Sequence, residues 1–293
     1  MKPAVSVVVP VFNMVETVGT CLEALVAQSL PANRREIIVV DNGSTDGTAD
    51  VIRRFPVTLV AEPVRGAPSA RNRGVEVARG DLVAFTDADC VPSRGWLTHL
   101  VRAAGASDVD VVAGPLAVLD PNASLMARYS AMLGQYDSER TLSHPRFPYA
   151  VTGNLAIRRS LLNDVGRFNP AFLTFDAAEL FWRIGRRGPL RSVVERRALV
   201  FYRTRSSLGG FVRQNFGYGQ GVGRYCRRIA SSDGQAPSAR ALVRTWGRRL
   251  GTARQLARAG DSVPGAVGLV GLHVMREMAI AGGTLAAALE SRA

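Results

Sequence analysis

Lysine is almost missing from this chain: Lys2 is the only one, and arginine supplies the rest of its 37 basic residues. A G+C-rich coding sequence gives the same bias, so it carries little functional weight. Cysteine is as sparse, with Cys21, Cys90 and Cys226 isolated and without a C-x-x-C pair. That argues against a disulfide framework and a structural zinc site, and it fits a reducing cytosol. The other possible metal ligands of that kind, His99, His144 and His273, show no metal-ligand spacing. Long apolar runs are missing too. The best candidate, Val263 to Leu289, is interrupted by His273, Arg276 and Glu277, so no membrane span is expected there. The N-terminal residues lead straight into a strand-like stretch rather than a basic segment, an apolar core and a cleavage site, so no signal peptide is expected.

What is present suits one large α/β domain with an appendage, or two small domains: 293 residues, of which 47% are hydrophobic. Charge is unevenly spread. Between Arg203 and Arg258 stand twelve arginines and one acid, Asp233, which accounts for most of the net +13. A localised basic block suits an anionic partner, and otherwise it is a solvated helical surface.

The apolar pattern alternates between two periods. Val5–Val9, Glu36–Val40, Val57–Ala61 and Leu82–Thr86 read as buried strands. Glu16–Gln28, Thr48–Arg54 (capped by Thr45 or Asp46) and Ala67–Ala78 read as the helices between them. Such alternation predicts a mostly parallel central sheet flanked by helices. Later segments are looser: strands over Val109–Ala113 and Pro115–Leu119, a helix over Ala123–Gln135, a strand over Tyr149–Arg158, short helices over Ser160–Val165 and Ala178–Gly185, and a last strand within Arg191–Val200. The expected division is a catalytic domain over 1–205 and a basic, amphipathic helical extension over 206–293.

In parallel sheets ligands bind beyond the carboxyl ends of the strands. Polar residues gather there: Asn13 after the first strand, Asp41 after the second, Asp87 and Asp89 after the fourth. If Asp87-Ala88-Asp89 is extended, its two carboxylates point the same way and can share one cation. Two hard oxygen ligands suit Mg²⁺ or Mn²⁺ and leave room for phosphate oxygens. A D-x-D pair alone also occurs as a solvated turn; its company at the other strand ends raises it above that.

Taken in order, Val7-Val8-Val9-Pro10-Val11-Phe12-Asn13, Ile38-Val39-Val40-Asp41-Asn42-Gly43-Ser44-Thr45-Asp46-Gly47-Thr48, Ala70-Arg71-Asn72-Arg73-Gly74 and Asp87-Ala88-Asp89 closely resemble the family 2 glycosyltransferases of the GT-A fold. The resemblance implies an enzyme that moves a sugar from a nucleoside-diphosphate donor to an acceptor hydroxyl. It implies a base and ribose pocket at Pro10, Asn13 and Asp41, with Val11, Glu16 and Asn42 beside it. Arg71 would reach the nucleotide, its other reading being a structural salt bridge, and Asp87, Ala88 and Asp89 would reach the ribose and metal–diphosphate, the cation being held by Asp89 and Asp87. Thr152-Gly153-Asn154 corresponds to the small-residue segment beneath donor sugar and acceptor.

Two departures stand out. The family's E-D-x-D-L-x-x-R segment, source of the catalytic base, is here Phe175-Asp176-Ala177-Ala178-Glu179-Leu180-Phe181-Trp182-Arg183, which puts Ala177 on the usual base. Asp176 can serve if the loop shifts by one residue, and Glu179 takes the second acidic position, as a catalytic or a helix-side structural group. Where many relatives carry a metal-ligating histidine, Phe201-Tyr202-Arg203 has none.

The expectation is therefore an inverting, metal-assisted transferase in polysaccharide or glycolipid assembly, acting on a glycan or lipid-linked acceptor. It would be cytoplasmic or held at the inner face of the cell membrane. Phe211, Phe216, Tyr218, Tyr225 and Trp246 interleave the arginines, which suits an anionic membrane surface. No RNA-binding motif accompanies them, so nucleic acid is not expected. The rival is a catalytically silent module that binds nucleotide sugar or lipid, favoured by Ala177 and the missing histidine. A nucleotidyltransferase would need a Gly-rich phosphate loop after the first strand, and a dinucleotide oxidoreductase a G-x-G-x-x-G there; Val11-Phe12-Asn13 is neither.

Overall fold

The computed structural model describes residues 2–105, 109–134, 136–144, 148–233, 252–260 and 262–289. In chain order the elements begin β1 (Val5–Val11), α1 (Val18–Val26), β2 (Arg35–Asp41), α2 (Thr48–Ile52), β3 (Thr58–Ala61), α3 (Ala67–Val77) and β4 (Leu82–Phe85). Next come β5 (Cys90–Pro92), α4 (Trp96–Ala103), β6 (Val111–Ala113), β7 (Leu116–Val118), α5 (Leu125–Leu133) and α6 (Ser138–Leu142). β8 (Leu155–Arg158), α7 (Arg159–Val165), α8 (Asp176–Gly185), β9 (Ser192–Val194) and β10 (Val200–Tyr202) complete the α/β part. The helices α9 (Leu208–Asp233), α10 (252–259) and α11 (Val263–Leu289) follow. Two compact units result: Met1–Leu119 with Tyr136–Tyr202, and Asp120–Gln135 with Arg203–Ala293. Residues 120–135 thus group with the C-terminal helices, although they fall inside the 1–205 domain expected from sequence.

The first unit is built on a seven-stranded sheet in the order β3-β2-β1-β4-β8-β6-β9. β3, β2, β1 and β4 run parallel, and β8 is antiparallel to both its neighbours. A small second sheet joins β5, β10 and β7. β1 explains the layering. Val5, Val7, Val9 and Val11 point to one face, against α1 and α4, while Val8 points to the other, against α3 and α8. A strand covered on both faces must be apolar on both, hence five valines among its seven residues. The exception, Ser6, is buried but satisfied: its hydroxyl donates to Glu36 Oε1 at 2.5 Å and accepts from Gly80 N at 2.8 Å. On the same face as Ser6, Gly74 of α3 lies so close to Val8 that a Cβ would collide with its methyl groups.

Several expectations change in detail. Of the strand expected over Tyr149–Arg158 only Leu155–Arg158 pairs, because Asn154 turns its amide to Pro115 O and Ala198 O and a 3₁₀ turn occupies Thr152–Asn154. The single strand expected within Arg191–Val200 is two, β9 and β10, in different sheets. The N-cap of α2 is Gly47 at φ 85°, with Asp46 beside it accepting from Thr48 N at 3.1 Å. α6, capped by Asp137, was not expected.

In the second unit Tyr129, Phe211, Leu256, Leu269 and Leu272 form the core, and the Tyr129 hydroxyl meets His273 Nδ1 at 3.1 Å. α9 and α11 touch through small residues: Gly219 against Ile280, Gly223 against Thr284, Gly283 against Phe216. α11 is continuous through the polar residues that argued against a span. Arg276 and Glu277 pair with each other, and by length and composition alone the helix could cross a membrane. A shallow apolar groove on α9 is lined by Leu208, Gly209, Val212, Arg213 and Phe216. Trp246 and the middle of the basic block lie outside the described residues.

Candidate functional site

The carboxyl ends of β1, β2 and β4 lie side by side on one edge of the sheet, and the polar residues singled out in the sequence meet there. After β1 the chain reverses at Asn13, whose φ is +51°, a conformation Asn tolerates better than most residues. This loop is knitted to the one after β2. Asn13 N donates to Ser44 Oγ at 3.0 Å, Thr45 N to Asn13 Oδ1 at 2.8 Å, Met14 N to Thr48 Oγ1 at 2.9 Å and Val15 N to Asp46 Oδ2 at 3.1 Å. Asp41, ending β2, accepts from Ser44 N at 3.0 Å. Asn42 is buried and spends its amide on Glu62 O, Val64 O and Gly66 N, pinning the loop that leads into α3. Val11 and Ala88 pack into the core, so only their backbone is available to a ligand; Glu16 is exposed, and Pro10 is half-buried.

Sequence reasoning missed Arg65. Its guanidinium lies over the Phe12 ring, 3.6 Å from the centroid, and donates to Asn42 O at 2.7 Å. The available signal was its place just before Gly66 and α3, at the same sheet edge as the motifs.

At the end of β4 the two carboxylates converge, but not by the route expected. The segment is a turn, closed by Cys90 N donating to Asp87 O at 3.0 Å, and the turn rather than an extended strand brings Asp87 and Asp89 together. Their oxygens and the Cys90 sulfur lie within 4.8 Å of one another. Burial, reinforced by the two aspartates, pushes the Cys90 thiol well up, and the two carboxylates beside it are a hard oxygen pair. Such a pair fits Mg²⁺ or Mn²⁺. β10 pairs with β5 so that Tyr202 stands opposite Cys90, which puts the position expected to hold histidine close to the carboxylates.

Arg71 joins this pair to α8. Nearly enclosed, it donates Nη2 to Asp87 Oδ1 at 2.9 Å and Nη1 to Asp176 Oδ2 at 2.6 Å. Asp176 is the first residue of α8 and follows Phe175, held at φ +62°. Burial pushes the Asp176 carboxyl above the usual aspartate range, and the Arg71 charge limits that rise. Gly153 completes the cluster: a Cβ there would stand 3.4 Å from Asp87 Oδ2 and 3.3 Å from a Leu116 methyl group. Its carbonyl accepts from Thr86 Oγ1 at 3.0 Å, and the buried Asn154 accepts from Trp96 Nε1 at 2.8 Å, so this segment is fixed from both ends. Thr152 is buried beside them.

Glu179, the second catalytic candidate in the sequence, lies one turn after Asp176 on α8 and spends its carboxylate on Arg183. It is fully buried, and both its oxygens accept from Arg183 Nε, at 3.0 and 2.9 Å. Removing one member of such a pair strands the other charge, so Glu179→Ala should lower unfolding free energy by about 3 kcal/mol in urea titration. The specific activity of the folded fraction should stay unchanged.

The family model described as Glycosyl transferase family 2 matches residues 6–166, more than half of the chain. Glycosyltransferase AglE of Haloferax volcanii is 36% identical over 173 residues, covering 57% of this chain and 56% of the relative. The pre-mycofactocin glycosyltransferase of Mycobacterium tuberculosis is 31% identical over 224 residues, covering 73% of this chain and 46% of the relative. The chain thus spans about half the length of these curated relatives. Among solved structures, the mannosyltransferase PcManGT of Pyrobaculum calidifontis, in complex with GDP-Man and Mn²⁺, superposes with a TM-score of 0.64 at 24% identity, covering 99% of this chain and 87% of that one. Residues 1–349 of TarS from S. aureus, in complex with UDP, give 0.55 at 17% identity, covering 100% and 92%. At these identities the likeness shows the fold, and that fold is GT-A.

Proposed function

The chain belongs to glycosyl transferase family 2, and from that premise we propose that it transfers a sugar from a nucleoside-diphosphate donor to an acceptor hydroxyl. The observation that carries this reading is the single cluster of Asp87, Asp89, Arg71, Asp176 and Gly153 at the carboxyl edge of a parallel sheet. The complexes of PcManGT with GDP-Man and Mn²⁺ and of TarS with UDP support the donor class.

On this reading the knitted loops after β1 and β2 take the nucleoside, with Pro10, Asn13 and Asp41 at the base and ribose and Arg65 beside them. Asp87 and Asp89 hold the cation, which would offset the charge that develops on the departing diphosphate. Asp176 takes the proton of the acceptor hydroxyl as its oxygen bonds to the anomeric carbon and the bond to the diphosphate breaks, with inversion. Arg71 holds Asp176 in place and keeps the second charge of the cluster balanced. Gly153 keeps the space beside Asp87 open for the sugar. The acceptor is a glycan or lipid-linked hydroxyl in envelope assembly, and the enzyme works at the cytoplasmic face of the membrane as a peripheral protein.

The test is calorimetric titration of UDP- and GDP-sugars with Mn²⁺ or Mg²⁺, followed by donor hydrolysis. One nucleotide class should bind, more tightly with the cation present. Binding by neither class, with or without metal, overturns the proposal. Ala177 favours the rival reading as a silent donor-binding module; binding without turnover, across a panel of glycan and lipid-linked hydroxyl acceptors, would decide for it.

A further inference from the structure

The exposed residues of α11 are all apolar or small, apart from Ser262 just before it. Val263, Val267, Val274, Met278, Leu285 and Leu289 are 50–79% exposed and recur at steps of four and seven. At 1.5 Å per residue this stripe runs about 40 Å along one helix face. Among the described residues no charged side chain of α11 is exposed, since Arg276 and Glu277 are turned inward and paired. The apolar surface continues sideways: Gly282 is exposed and lies against the Phe216 ring, which leads into the α9 groove that Arg213 also lines. A water-facing helix 27 residues long normally carries charge on its outer face.

We propose that this face of α11 docks onto an anionic lipid bilayer, its apolar side chains entering the acyl boundary while arginines of the same unit meet headgroup phosphates. Two further observations favour lipid over a second copy of the chain. First, charge: twelve arginines and one acid lie between Arg203 and Arg258, with Arg213, Arg254 and Arg258 exposed among the described residues. A second copy would bring like charges together, whereas anionic headgroups offer the opposite sign. Second, packing: α9 and α11 meet backbone to backbone at Gly219, Gly223 and Gly283, and Thr284 Oγ1 donates to Gly219 O at 3.1 Å across the pair. Small residues and interhelical hydrogen bonds hold helices together where apolar surroundings supply no squeeze between them. The inference deepens the peripheral-membrane part of the proposed function by naming the contact element and the lipid class. It rests on the C-terminal unit alone.

The test is sedimentation of the full chain with phosphatidylcholine vesicles, with and without phosphatidylglycerol, in parallel with donor titration. The chain should pellet with the anionic vesicles and lose that binding as salt rises. The pair Val274→Glu and Met278→Glu should weaken vesicle binding about tenfold or more and leave donor affinity unchanged. Since a misfolded variant would also fail to bind, Arg254→Glu with Arg258→Glu supplies an independent check and should reduce binding to anionic vesicles severalfold. Wild-type chain that stays in the supernatant, or binds equally with and without phosphatidylglycerol, overturns the proposal. So does a dimer that the α11 substitutions split without any vesicle binding. Lost vesicle binding beside intact donor binding leaves the transferase reading standing; lost donor binding beside intact vesicle binding does the reverse.

Discussion

Asp89→Ala should lower kcat/KM for sugar transfer by about a thousandfold, the effect expected when charge stabilisation is withdrawn from a leaving group. Asp89 sits in the turn between β4 and β5, half-buried, so its loss removes a ligand without opening the core. The variant should melt within a few degrees of wild type and still bind free nucleoside, which the proposed function assigns to other loops. What it should lose is the gain in donor affinity on adding Mn²⁺, which calorimetry measures directly. Cys90→Ala is the matched control. Its thiol is neutral and buried, so transfer should persist even if stability falls. Equal metal-dependent affinity in wild type and Asp89→Ala would show that the cation is held elsewhere.

The second large effect is expected at Asp176. Asp176→Asn should reduce kcat by about a hundredfold to ten-thousandfold with little change in KM for the donor, because only the proton acceptor is lost. Asparagine keeps the shape and can still accept from Arg71, whose charge remains opposed by Asp87, so the fold should survive. A pH profile adds a readout that a merely structural role would not move. Burial holds the Asp176 carboxyl above the usual aspartate range, and a base works only when ionised. The wild-type rate should therefore rise with pH through a limb displaced upward from an ordinary aspartate, and Asp176→Asn should flatten that limb. The same shift has a sign for stability: the folded state holds this proton more firmly than the unfolded chain. Its contribution is thus full below the unfolded pKa and is lost as pH rises through the folded one. An unchanged rate in Asp176→Asn would remove the residue from the chemistry.

Much of the first unit was legible because its signals are local. Val5–Val11 is buried on both faces, so its apolar run needed no partner to be recognised as a parallel strand. The site was legible through position, since Asn13, Asp41, Asp87 and Asp89 each follow a strand. What was not legible depends on contacts distant in sequence. Nothing near Asn154 announces that its amide will bond to Pro115 and Ala198 and break the strand expected around it. The Glu179–Arg183 pair is local by contrast: a spacing of four on a helix carried the helix-side structural reading. The grouping of residues 120–135 with the C-terminal helices rests on Tyr129 packing against Phe211 and His273, a long-range match that periodicity does not encode. The α11 stripe was visible as hydrophobicity, but which side of the helix is covered became clear only with its neighbours in place.

The loops after β1 and β2 share polar atoms: Asn13 accepts from one loop while Ser44, Asp46 and Thr48 accept from the other. Neither loop is satisfied without its counterpart, so the two form one structural unit. If these loops take the nucleoside as proposed, a change of nucleotide preference demands paired replacement of both segments, since a graft of either one alone strands donors and acceptors in the other.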